Sequence, residues 1–119
     1  MNREMILVYV AGPYNARTPL GVIYNILRAR YWAKKIWRLG FSAFCPHSNS
    51  AFFNYGRRVP EKQIMAACVD MINRVDVLFV IPNSENSAGV KIEIEEAKRL
   101  GTPIVENLKE LIFATIAIS

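Results

Sequence analysis

Apolar residues fall along this chain in two alternating patterns, short unbroken runs and longer stretches with a helical repeat. The run MILVYVAG, Met5 to Gly12, is β-rich and ends in Gly-Pro, which predicts a buried strand followed by a turn. From about Pro19 to Leu39, Val22, Ile26, Ala33, Ile36 and Trp37 recur near helical spacing, and Gly40 supplies a stop. FSAFCP predicts a second strand. A loop from His47 to Val59 follows, carrying Asn, Ser, Gly and the adjacent Arg57 and Arg58. Pro60 is placed to open a helix that runs to about Arg74. VDVLFVIP is the third and most hydrophobic strand, NSENSAG a loop, and Ser87 to Gly101 a helix with its own stop signal. TPIVE predicts a short fourth strand and LKELIFATIAIS a last helix.

Strands that are continuously apolar and alternate with helices predict an α/β fold, a doubly wound, flavodoxin- or Rossmann-like parallel sheet of about four to five strands in three layers. The 119 residues are enough for one such domain and too few for two. Ligands of these sheets bind where strands end at their carboxyl edges. That rule selects AGPYNAR, CPHSN and PNSENSAG.

The helix after the third of these segments holds an anomaly. With Val90 at zero and 100° per residue, Ile94, Ala97, Leu100 and Gly101 form a stripe within about 80° of it. Glu93 falls at about 300°, between Ala97 and Leu100, whereas Glu95, Lys91, Lys98 and Arg99 lie on the far side. An ionised carboxylate on a core-facing stripe is costly unless it is hydrogen-bonded or reaches a cleft. Glu93 therefore either snorkels from the stripe's edge or lines a site. Glu95 and Glu96 are spaced for ion pairs with Lys98, Arg99 or Lys91. Ser87 is a good N-cap, and with Ala88 and Gly89 it also forms a turn whose N–H groups and hydroxyl suit a phosphate at the helix start.

Just over half the residues are hydrophobic and about a fifth charged, a globular balance. No apolar run is long enough to span a bilayer and the first residues lack the ordered parts of a signal peptide, so a soluble, cytoplasmic protein without membrane partners is expected. Cys45 and Cys68 lack metal-ligand spacing and the chain has one His, so neither a metal nor another cofactor is expected. The net charge of +5 is scattered in ones and twos, which suits a small anionic ligand better than polymeric nucleic acid.

In order and spacing, VYVAGPY, PHSN, the apolar strand after RVD, SAGVKIEIEEA and LGTPIV resemble the nucleoside 2-deoxyribosyltransferase superfamily. The resemblance runs from about Met5 to Val105 and is nearest to its short phage and bacterial members and to the nucleoside 5'-monophosphate N-glycosidases. It implies that Glu93, four residues after Gly89, is a nucleophile at C1' of the sugar, with Tyr9 hydrogen-bonded to it. From the residues alone, a Tyr in a buried strand is more often a core side chain. Gly12 and Pro13 match the turn against which the nucleotide lies. His47 and Asn49 sit in the matching PHSN loop, where the imidazole is either a donor to base or sugar or an ordinary surface residue. The transferases carry Asp where this chain has Ser87, and the monophosphate glycosidases carry Ser, so a nucleotide is favoured over a nucleoside. Arg17, Arg57 and Arg58 are candidate cations for its phosphate.

One position departs from the pattern. The family usually has Asp eight residues before the Asp that begins the third strand, and counting back from Asp76 gives Cys68. Asp70 lies about 200° away on the helix and cannot replace it by rotation. Cys68 itself reads as a small buried hydrophobe, and Asp76 as a structural residue at the strand entrance. Phe52, Phe53 and Tyr55, beside Gly56, either stack on a base or pack between subunits. Ile112, Phe113, Ile116 and Ile118 give the last helix more apolar surface than a small domain usually exposes, which predicts a homo-oligomer.

Overall fold

The computed structural model describes residues 5–49 and 59–118, apart from the side chains of Ser48 and Asn49. Among them the order is β1 (Leu7–Ala11), α1 (Pro19–Arg38), β2 (Ser42–Phe44), α2 (Pro46–Asn49), α3 (Glu61–Ile72), β3 (Val77–Val80), α4 (Ala88–Leu100), β4 (Ile104–Val105) and α5 (Leu108–Ile118). The four strands are all parallel, in the order β2-β1-β3-β4. This is the doubly wound, three-layer Rossmann-like architecture, with the order reversing between β1 and β3. Phe52, Phe53, Tyr55, Gly56, Arg57 and Arg58 lie outside the described residues.

Alternation along the strands divides the core between the two helical layers. Val8 and Val10 of β1, with Val77 and Phe79 of β3, pack against Ala29, Ala33 and Ile36 of α1 and Leu111 of α5. Tyr9 and Ala11, with Leu78 and Val80, face Ile72 of α3 and Val90 and Ala97 of α4. A one-residue shift of β1 would exchange these sets. Asp76 helps fix its position, because its carboxylate accepts from Leu7 N at 2.8 Å while its own N–H donates to Leu7 O at 2.8 Å.

Two parts of the sequence-based description change. The loop expected from His47 begins as a helical turn, α2, with Pro46 at its start. On α4, Leu100 points to solvent, and the buried residues are Val90, Glu93 and Ala97. Gly101 closes α4 with φ of 73°, a left-handed conformation that glycine adopts without a Cβ clash.

Candidate functional site

Three elements bring the site together at the carboxyl side of β1 and β3. Tyr9, on the face of β1 turned to α3 and α4, is wholly buried. Its hydroxyl donates to Glu93 Oε2, across the gap between β1 and α4. Glu93 is 5% exposed, so the carboxylate is the inward group on an otherwise apolar stripe and does not snorkel. Burial pushes its pKa up from 4.5 to about 7, against the opposing effect of the Tyr9 hydrogen bond. The phenol is itself held far above its ordinary range, by burial first and then by Glu93 and Cys68, so it remains a donor.

Cys68 completes this cluster. Its thiol reaches the Tyr9 hydroxyl from α3, and burial raises its pKa against the lowering effect of that contact. Cys68 is half-buried and packs against the same core cluster as Tyr9. The helical wheel of α3 puts it on the inward face, but only the sheet order reveals which strand residue it meets. Asp70 is exposed and ion-paired with Arg74 at 2.9 Å, away from the site.

The turn after β1 is built by close approach. A Cβ on Gly12 would lie 2.5 Å from Ile81 Cδ1, so a larger residue here requires the Ile81 side chain to shift where the exits of β1 and β3 approach. Ile81 N donates to Ala11 O at 2.9 Å, which continues the sheet to this point. His47 departs from one of its two expectations. It is 4% exposed, not a surface residue, and its Nε2–H donates to Pro13 O at 2.7 Å. Burial lowers its pKa, against the carbonyls of Pro13 and Gly12, and so favours the neutral ring. In that tautomer Nδ1 is an acceptor, and it has no hydrogen-bond partner among the described residues. The side chain of Asn49, placed with His47 by sequence, lies outside the described residues.

At the start of α4 the Ser87 hydroxyl accepts from Val90 N at 3.3 Å, which makes it the N-cap. Ser87 N–H is spent on Ser84 O at 3.1 Å and so does not belong to the expected phosphate cradle. The remaining donors are the Ser87 hydroxyl proton and the amides of Ala88 and Gly89, which open the helix beyond the reach of its own carbonyls. Arg17, exposed before α1, is on the turn that follows β1. Two surface grooves lie elsewhere. The first, of about 710 Å³, runs between α1 and β2 past Arg30, Tyr31, Lys34, Trp37 and Phe44. The second, of about 530 Å³, is lined by Val69 of α3 and by Ile92 and Arg99 of α4. Neither is lined by Tyr9 or Glu93.

The protein is thus a doubly wound α/β domain with a buried Tyr9–Glu93 pair near the carboxyl edge of its sheet. The chain belongs to the family described as a domain of unknown function, DUF4406, whose model matches residues 6–106. Among solved structures it is similar to the 2-deoxyribosyltransferase of Bacillus psychrosaccharolyticus, with a TM-score of 0.58 and 18% identity over 82% of this chain and 69% of that one. The chain therefore shares its fold with that 2-deoxyribosyltransferase. No curated protein matches the sequence. Among the described residues no helix is long and apolar enough to cross a membrane.

Proposed function

We propose that the protein is a nucleoside 5'-monophosphate N-glycosidase in which Glu93 attacks C1' of the sugar. The observation that carries this reading is the buried Tyr9–Glu93 hydrogen bond. Tyr9 occupies Oε2 and leaves Oε1 as the attacking atom. A pKa of about 7 leaves a substantial ionised fraction at neutral pH, and a poorly solvated carboxylate is a strong electrostatic partner for an oxocarbenium-like transition state. The C1'–O bond to Glu93 forms as the C1'–N bond breaks, and the base leaves with the electron pair and takes a proton from solvent. Water then opens the ester at C1', releases the sugar phosphate and restores the carboxylate. Ser87, Ala88 and Gly89 hold the phosphate through the hydroxyl and two amides, Gly12 and Pro13 form the floor, and Arg17 supplies charge.

His47 does not contact substrate in this scheme; it fixes the carbonyl of Pro13. The similarity to a transferase supports sugar chemistry at this edge, and Ser87 in place of an acidic residue supports a phosphorylated substrate. The chain acts as a single domain, in the cytoplasm, without a cofactor, as a homo-oligomer that covers the apolar surface of its α1 and α5 layer. The test is release of free base from a panel of ribo- and deoxyribonucleoside monophosphates, with native protein and Glu93→Ala. Release that vanishes in the variant supports the glycosidase.

Cys68 favours a second reading. A thiol whose pKa is raised is a poor general acid, and it stands where the resemblance places Asp. A general acid contributes roughly 10²- to 10⁴-fold, so a nucleotide-binding sensor that has lost its acid is the alternative. That alternative predicts a nucleotide that raises the melting temperature without losing its base. Transfer of the sugar to a second base is distinguished by adding that base to the same assay.

A further inference from the structure

Helix α1 is apolar on two opposite faces. Val22, Ile26, Ala29, Ala33 and Ile36 form the buried stripe against the sheet. On the other side Leu20, Tyr24, Leu27 and Tyr31 are exposed to 78, 63, 59 and 51%, with Ile23 beside them at 41%. Their spacing of four, three and four residues is the a/d repeat of two successive heptads, the pattern that lets a helix pack into the holes of another helix. An isolated surface helix needs one apolar stripe, and the second has no role in covering the sheet.

We infer that this seam is the contact between two copies of the chain, which pair α1 against α1 in antiparallel fashion about a two-fold axis between Tyr24 and Leu27. A self-complementary seam suits an isologous contact, in which the same patch serves both partners. The five exposed residues present on the order of 600 Å², most of the roughly 800 Å² per partner in a standard interface. Ile112, Phe113 and Ile116 of α5, in the same layer, are also exposed and extend the apolar surface. Charge decides the direction. Between Pro19 and Arg38 the helix has five cations, Arg28, Arg30, Lys34, Lys35 and Arg38, and no acidic residue. A parallel pair would stack these cations beside their own copies. In the antiparallel pair Lys34, Lys35 and Arg38 separate to the two ends, Leu20 meets Tyr31 of the partner subunit, and Tyr24 meets Leu27 of the partner subunit. A lipid surface would use the same cations and apolar side chains, but it sets no requirement for a heptad repeat.

The test combines sedimentation velocity with cross-linking. The native protein is expected to sediment as a dimer at micromolar concentration, and Leu27→Glu to raise its dissociation constant at least tenfold with an unchanged far-ultraviolet circular dichroism spectrum. Leu20→Cys and Tyr31→Cys chains of different tagged mass, mixed and treated with a short bismaleimide, are expected to join to each other beyond the background of the native cysteines. A native monomer, a Leu27→Glu dimer as tight as the native one, or dissociation by Phe113→Glu alone overturns the seam. Leu20→Cys chains that join chiefly to themselves overturn the antiparallel direction.

Discussion

Replacing Glu93 with glutamine is expected to stabilise the protein at alkaline pH and to leave its stability nearly unchanged at acid pH. The side chain is 5% exposed and its pKa rises from 4.5 to about 7, chiefly through burial. The folded state thus holds the proton more tightly than the unfolded chain. The stabilisation from the protonated carboxyl is fully present below about pH 4.5 and is lost as pH climbs through about 7, where the folded group ionises as well. A rise of this size corresponds to about 3 kcal/mol between the two limits. Glutamine keeps an oxygen for the Tyr9 hydroxyl and never ionises, so it escapes this loss. Urea denaturation followed by the fluorescence of Trp32 and Trp37, at fixed protein concentration, compares native and Glu93→Gln at pH 4.5 and pH 8. The advantage of the variant should grow by about 2–3 kcal/mol between them. An advantage that is independent of pH, or one that shrinks with rising pH, refutes the inward, poorly solvated carboxylate on which the site is built.

Other residues of the site give separate expectations. Tyr9→Phe removes a hydrogen bond to a charged acceptor, worth about 1.5–3 kcal/mol, so base release should fall by roughly 10- to 100-fold and the Glu93 pKa should move up, as read by carbon-13 NMR of its carboxyl. Gly12→Ala places a Cβ against Ile81 Cδ1 and should cost about 1–3 kcal/mol in urea melts; adding Ile81→Val, which lacks that methyl, should recover part of the loss. His47→Ala leaves Pro13 O without its donor and should destabilise by about 1–3 kcal/mol at pH 8. Because burial lowers the pKa of His47, the unfolded chain takes up its proton first, so the variant's deficit should shrink as pH falls through about 6.5. Cys68→Asp supplies the missing acid beside Tyr9 and should raise base release; a variant that binds nucleotide but stays inert favours the sensor.

Much of this arrangement could be read from local pattern, because local pattern determines it. Glu93 broke an apolar stripe of period 3.6, and a single helix wheel is enough to turn it inward. The strands appeared as apolar runs because parallel strands are buried on both faces. Contacts between distant segments left no such trace. His47 reaches Pro13 across 34 residues of sequence, and a single helical turn such as α2 is too short to show a period. Cys68 could be placed on the inward face of α3, yet its meeting with Tyr9 depends on β1 lying next to β3 in the sheet. The second apolar face of α1 was missed for a different reason. A helix with two stripes scores as one broad apolar pattern until the sheet shows which stripe is already used.

The most direct measurement of the central claim is mass spectrometry of protein quenched during turnover of a nucleoside monophosphate. The account predicts a gain equal to one sugar phosphate, borne on Glu93 within the tryptic peptide Ile92–Lys98, and absent from Glu93→Gln, which also releases no base. Base release that persists in Glu93→Gln, or turnover without any adduct on that peptide, contradicts it.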